Sequence, residues 1–168
     1  VTARTKQSAG LLLFRRSDAG LAAPGLEVFL VHPGGPFWAK KDLGAWTIPK
    51  GEYLDDEMPL AAALREFEEE TGFGDIGSLP KSAFIELGSI RQNGGKIVTA
   101  WAVEFEVDAS KVISNFCEID WPPRSGRRMS IPEVDRAAWF DLPEARKRMF
   151  AAQQPFLDRL TGALAGKT

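Results

Sequence analysis

The stretch Pro59–Gly72, PLAAALREFEEETG, constrains the fold more than any other because both of its ends are marked. Proline suits a first helical turn, where its missing N–H leaves nothing unsatisfied, and glycine closes a helix in a left-handed cap. At about 100° per residue, Leu60, Leu64 and Phe67 line one face and Thr71 continues it, so that face is expected to pack on a sheet. Strand-length apolar runs on both sides of the helix supply the sheet. SAGLLLFRR (8–16) and LEVFLVHPGG (26–35) read as two strands joined by the turn-rich SDAGLAAPG, and AWTIPKGE (45–52) as a brief strand ending in a Pro-Lys-Gly turn. Beyond the helix, AFIELGSIRQ (83–92) and KIVTAWAVEFEV (96–107) flank NGG, a hairpin signal. DASKVISNFCEIDWPPRSGRRMSIPEVD reads as a long irregular segment, RAAWFDL as a strand end, and PEARKRM and QQPFLDRLTGAL as one or two closing helices. Strands around a central helix, with helix again at the end, predict an α/β layered domain.

At 168 residues the chain is expected to form one domain, 1–168, with a real core. A net charge of −2 gives no electrostatic case for duplex nucleic acid. Cys117 and His32 are each alone, which excludes an intrachain disulfide and His-pair metal sites and fits a reducing cytosol. No apolar run reaches the roughly 18 residues of a membrane span, and nothing resembles a signal peptide. The chain starts at Val1 rather than Met, as a trimmed N-terminus would. GALAGKT is not a phosphate-binding loop: three residues separate Gly162 from Gly166 where that motif needs four.

The helix carries Glu66, Glu68, Glu69 and Glu70 within five positions, where like charges repel by a few tenths of a kcal/mol per pair. Glu66, Glu69 and Glu70 relate as i, i+3 and i+4 and share a second face, expected to point away from the apolar stripe. Such a face is either a solvated acidic surface or a cage for a hard divalent cation, which prefers oxygen ligands and shares them with substrate phosphate. Spacing separates the two readings. Gly51, Glu57, Arg65, Glu66, Glu69, Glu70 and Gly72 fall in register with the Nudix box, G-x5-E-x7-R-E-U-x-E-E-x-G-U, where U is apolar; Phe67 and Phe73 fill the apolar places. The chain resembles the Nudix hydrolases, and SAGLLLFRR, AWTIPKGE and EVDRAAWFDLPEA look like further strands and the closing helix of that family.

The resemblance implies an α/β/α sandwich with a mixed sheet and a loop–helix–loop catalytic element. It also implies hydrolysis of a nucleoside diphosphate linked to another group, assisted by magnesium or manganese. Glu66, Glu69 and Glu70 would then be metal carboxylates, with the backbone carbonyl of Lys50 beside Gly51 as a further ligand. Arg65 and Glu57 would be structural, the guanidinium clamping box carboxylates. The general base has two candidate positions, Glu66 on the helix and Glu133 on the loop before the late strand; Glu133 is equally a candidate accessory ligand. WTIPKG resembles the same stretch of dinucleoside polyphosphate hydrolases, which makes such a small-molecule nucleotide the favoured substrate. Nucleoside triphosphates and diphosphoinositol polyphosphates are alternatives, and a non-catalytic nucleotide sensor is disfavoured because every box carboxylate is present. Candidate substrate contacts are Lys50 for a distal phosphate, Arg127 and Arg128 (with Arg124) as a polyphosphate clamp, and Trp38 beside Phe37 as a base platform. Trp101 and Trp121 read as core or loop anchors, and Cys117 as a small packed group.

Overall fold

The computed structural model describes residues 4–17 and 25–166. The expected turn before Gly25 and the end of the C-terminal tail lie largely outside those residues. Among the described residues eight strands are formed: β1 (Gln7–Ser17), β2 (Gly25–Pro33), β3 (Lys50–Glu52), β4 (Ile85–Arg91), β5 (Ile97–Glu104), β6 (Phe116–Asp120), β7 (Arg128–Pro132) and β8 (Val134–Asp141). Three helices accompany them: α1 (Pro59–Thr71), α2 (Leu142–Arg148) and α3 (Gln154–Ala165).

The main sheet has six strands in the order β4-β5-β1-β2-β8, with β3 also paired to β1. It is mixed, since β1 runs parallel to β5 and antiparallel to β2 and β3. Because successive residues of a strand face opposite ways, the unbroken run of β1 feeds two cores. Leu11 and Leu13 pack with Phe29, Val31 and Phe67 beneath α1, while Leu12 and Phe14 pack with Leu30, Ile48, Phe156 and Leu160 beneath α2 and α3. The result is an α/β/α sandwich. Among the described residues no helix is long and apolar enough to cross a membrane.

Helix α1 has the bounds its ends predict: Pro59 opens it, and Gly72 closes it at φ 83° with its N–H donated to Glu68 O. Three readings change. The carboxylate face is not turned away: Glu66 and Glu70 are only 8% and 9% exposed, whereas Leu60 and Leu64 are partly exposed. The flank of α1 is covered by β3, so the helix buries an edge as well as a stripe. The 45–52 segment is extended but forms a ladder only at Lys50–Glu52; Trp46 and Thr47 make isolated bridges to Met149 and Val31, and Pro49 has no N–H to continue them. Lys50 and Gly51 are therefore strand rather than turn. Finally, the segment read as irregular contains the antiparallel hairpin β6–β7.

One buried polar side chain ties the pre-helix segment to the far layer. Gln153 is fully buried; its Oε1 accepts from Ile48 N–H at 3.0 Å, and its Nε2 donates to Thr47 Oγ1 and to Gln92 Oε1, both at 2.8 Å. Gln153→Leu leaves the buried Ile48 N–H without a partner and removes the link to Thr47 and Gln92. Its expected cost is about 1–3 kcal/mol, read as a lower urea midpoint at unchanged slope. A midpoint equal to wild type would show that the network is not a stabilising one.

Candidate metal centre

Strand β3 sets the site by its ladder. In an antiparallel pair, residues alternate between bonding across the ladder and pointing outward. Leu11 N–H donates to Pro49 O and Tyr53 N–H to Gln7 O, each at 3.1 Å, so the residues at 49, 51 and 53 bond toward β1. Lys50 consequently turns its N–H and carbonyl away from β1, and the N–H donates to Glu70 Oε2 at 3.1 Å. Its neighbour Gly51 makes room for Glu66: a Cβ there would lie 1.8 Å from Glu66 Oε2 and displace it, so the Glu66 carboxylate rests directly on the strand backbone.

A second relay of backbone bonds brings in Glu133. The last carbonyls of a helix need donors from outside it. Ile113 N–H donates to Thr71 O and Asn115 N–H to Glu69 O, each at 2.9 Å. Asn115 O then accepts from Glu133 N–H, and Glu133 O accepts from Gly34 N–H, both at 3.0 Å. Glu133 is thus fastened between the end of α1 and the end of β2. One carboxylate oxygen each from Glu66, Glu70 and Glu133 lie within 4.8 Å of one another.

Arg65 holds the outer side of the cluster. Its Nε and Nη2 donate to the two carboxylate oxygens of Glu57 at 2.7 and 3.0 Å, a bidentate pair. Its Nη1 donates to Glu66 Oε1 at 2.7 Å and reaches both oxygens of Glu69 at 3.3 Å. Glu69 therefore stands at the rim, facing the guanidinium, rather than inside the cluster with Glu66 and Glu70.

Burial dominates the electrostatics. Desolvation pushes the Glu70 carboxyl up to about 8, against the opposing pull of Lys50 and with a further push from Glu133. Burial also raises Glu66, although its bond from Arg65 opposes this, and raises Glu133, with Glu69 adding to the shift. The Lys50 ammonium is pushed down by the same desolvation. Glu57 moves the other way, held down by Arg65.

The remaining predicted residues divide. A cavity of about 320 Å³ beside the cluster is lined by Lys50, Glu70 and Glu133 on one side and by Trp38 and Phe150 on another. Trp38 packs on Phe37 (ring centroids 4.9 Å apart) and on Phe150 (5.4 Å). Arg127 and Arg128 are not brought to this cavity: they are exposed at the free end of the hairpin, and Arg128 lies 3.7 Å from Glu118. Arg128 is about 10 Å along the strand from Ile131, the residue of β7 that lines the cavity. Arg124 shares that hairpin turn, at φ 62°. Trp101 is core, and Trp121 sits in the hairpin, its N–H donated to Arg127 O. Two contributors were missed. Phe150 gave no local signal. Asn115, whose buried Oδ1 has no hydrogen-bond partner among the described residues, sits in a segment read as irregular.

A mixed sheet between helices, with this cluster at the helix flank, places the chain in a recognised structural class. An Ap4A hydrolase from C. elegans, solved as a binary complex, has the same fold: TM-score 0.65 and 22% identity over 96% of this chain and 99% of that one. The NUDIX domain of Shewanella oneidensis NrtR, solved with ADP ribose, matches at TM-score 0.62 and 17% identity over 97% and 90%. The family model for the NUDIX domain matches residues 3–160, and the chain belongs to that family. Among curated relatives, the RNA pyrophosphohydrolase of Rhizobium meliloti is 28% identical over 142 residues, 72% of this chain and 80% of the relative. That of Agrobacterium fabrum is 30% identical over 109 residues, 59% of this chain and 61% of the relative. A third, from Erythrobacter litoralis, is spanned over only 35% of its length.

Two outcomes are expected. Gly51→Ala forces Glu66 off the strand and should weaken Mn²⁺ binding on the order of 10- to 100-fold, measured by calorimetric titration; unchanged affinity would detach Glu66 from the centre. The second concerns pH. A carboxyl raised from 4.5 to about 8 in the fold binds its proton more tightly folded than unfolded. The metal-free protein should therefore lose stability as pH rises from about 4.5 to about 8, and Glu70→Gln should flatten that slope. A wild-type profile already flat in denaturant titrations would contradict the burial of this charge.

Proposed function

We propose that this chain, acting as one catalytic domain over 1–168, hydrolyses a phosphoanhydride bond in a nucleoside diphosphate linked to a further group. Mg²⁺ or Mn²⁺ is held by Glu66, Glu70 and Glu133. The observation that carries this reading is the cluster itself, three carboxylates from two elements within 4.8 Å and largely out of water. The donor set fits such an ion: it is all oxygen, and a divalent charge offsets the repulsion and desolvation that push Glu70 up to about 8. The outward-turned Lys50 carbonyl is a further ligand, and Glu69 at the rim supports a second position. When bound, the cation polarises phosphoryl oxygens and lowers the pKa of a water.

The protein's own groups do the rest. Arg65 fixes the carboxylates of Glu57, Glu66 and Glu69 so that little reorganisation accompanies reaction. The base is one of two carboxylates: Glu133, half-buried at the mouth, where it serves as base instead of accessory ligand, or Glu66. Lys50 meets a phosphate as a point charge. Trp38 and Phe150 form an aromatic wall for a base, and Arg127 and Arg128 meet only the far end of a longer substrate. The lone Cys117, with no partner for an intrachain disulfide, supports activity in a reducing cytoplasm.

Among substrates the dinucleoside polyphosphates are favoured by the WTIPKG stretch. A second reading, pyrophosphohydrolysis on RNA, is favoured by the two rhizobial relatives named RNA pyrophosphohydrolases. The test is a product-resolved hydrolysis screen with Mg²⁺ and with chelator. It spans nucleoside triphosphates, dinucleoside polyphosphates, 5′-triphosphorylated RNA, nucleotide sugars and pyrophosphorylated inositols. Metal-dependent cleavage of one class names the substrate, and no cleavage from folded, metal-binding protein rejects the enzyme reading for that panel. Glu70→Gln is expected to abolish most turnover. Glu133→Gln should lower kcat by on the order of 10²-fold; a change confined to KM would make Glu133 a substrate contact instead.

A further inference from the structure

Beside β3, where β1 begins and β4 turns into β5, a cavity of about 510 Å³ is lined by Arg4, Lys6, Arg91 and Lys96 around the turn at 93–95. Every charged residue in that lining is a cation, in a chain whose net charge is −2. Two carboxylates outside the wall hold three of the four: Asp55 pairs with Arg4 at 2.6 Å, and Glu52 lies 2.9 Å from Lys96 and 3.7 Å from Lys6. Arg91 has a neutral partner, donating to Gly95 O at 3.3 Å. Four cations facing two carboxylates leave uncompensated positive charge at a concave surface, where a polyanion is attracted most strongly. The turn adds no side chains at Gly94 and Gly95, both at positive φ, so the backbone lies open on that side.

This cavity is coupled to the metal centre through one residue. The Glu52 side chain binds Lys96 and Lys6, while its carbonyl accepts from Arg65 Nη2 at 3.5 Å, the guanidinium that clamps Glu66. The charge of Lys96 also reaches Lys50 and helps to push its ammonium down. On another side, Asn93 lines both this cavity and one of about 650 Å³ against Trp38 and Phe150. The aromatic wall and the basic cavity thus adjoin.

We infer that the cavity formed by Arg4, Lys6, Arg91 and Lys96 is a second phosphate subsite, holding a phosphate group of the substrate remote from the bond that is cut. The inference rests on the proposed function for the identity of the ligand. It makes the protein selective for substrates that carry phosphate at two separated places. A longer oligophosphate chain between two nucleosides and the phosphodiesters of an RNA both extend beyond the three phosphates of a nucleoside triphosphate. Guanidinium and ammonium donors match phosphate oxygens in either case.

The test is binding without catalysis. In chelator, with no divalent cation, inorganic tripolyphosphate and a 5′-phosphorylated RNA trinucleotide are titrated separately by calorimetry into wild type, Arg91→Ala and Arg91→Lys. Arg91 is chosen because it makes no ion pair among the described residues, and thermal melts confirm that the variants are folded. Wild type is expected to bind with an affinity that falls as salt rises. Arg91→Ala should bind on the order of tenfold more weakly, and Arg91→Lys should recover part of the loss. Binding of tripolyphosphate alone assigns the subsite to an oligophosphate chain, and binding of RNA alone assigns it to a phosphodiester. No binding of either probe, or equal binding by wild type and Arg91→Ala, overturns the inference. Because no hydrolysis is read, a failed substrate screen would strike the proposed function and leave this result standing.

Discussion

The constraint on which the rest of the structure depends is the burial of Glu66 and Glu70 against a three-residue strand. Carboxylates taken out of water need charge or donors close by, or they hold their protons. Here the donors are few and rigid: the Lys50 N–H for Glu70 and the Arg65 guanidinium for Glu66. Neither suffices to keep the carboxyls in their ordinary range, as the upward shifts of both show. The short strand holds its place because β1 pairs with it while burying side chains on both faces of the sheet. The two cores therefore act on the site through position: they fix β3 against α1, and the closeness of that packing keeps the carboxylates out of water.

Three separate segments meet at the cluster, and each is fastened by backbone bonds rather than by flexible side chains. Helix α1 contributes Glu66 and Glu70, β3 contributes an outward peptide, and the turn before β8 contributes Glu133 through the relay from Glu69 O to Asn115 to Glu133 to Gly34. Such bonds leave the carboxylates little freedom to relax apart, so their repulsion stays in the folded state instead of dissipating. The Arg65 clamp works in the same sense. It binds Glu57 and Glu69 outside the cluster and Glu66 within it, and Glu69 is held at the rim by it.

Whatever is written in local chemistry could be read before the structure. Pro59 and Gly72 bound α1 because the first turn and the left-handed cap are decided by those residues alone, and the Nudix spacing put Glu66 and Glu70 on one face because a helix presents i and i+4 together. What depends on the covering element could not be read. Helical spacing grouped Glu69 with Glu66 and Glu70, whereas Arg65 holds Glu69 at the rim; Glu133, which only the family resemblance had brought forward, supplies the third oxygen from more than sixty positions away. The β6–β7 hairpin was hidden because only alternate residues such as Cys117 and Ile119 are even partly covered, with Glu118 and Asp120 facing solvent. Its arginines looked like a clamp in sequence because nothing local says which end of a hairpin faces the site. The basic cavity was equally invisible, since Arg4, Lys6, Arg91 and Lys96 are joined only by the pairing of β1 with β5 and the β4–β5 turn.

An acidic centre bordered by a basic cavity resolves a difficulty in the charge of the whole molecule. A chain of net charge −2 with a carboxylate cluster repels the polyphosphate it is proposed to cut. Cations in the right places would reduce the repulsion in two ways: a divalent ion would offset most of the cluster's charge, and the lysines and arginines beside β3 present a positive approach without any ion. Glu52 sits at the boundary between the two fields, its carboxylate held by Lys96 and Lys6 and its carbonyl by Arg65. Its side chain binds the cations and its backbone binds the guanidinium that clamps Glu66. The short strand β3 thus keeps opposite charges apart at close range, as a site for a cation and a polyanion together requires.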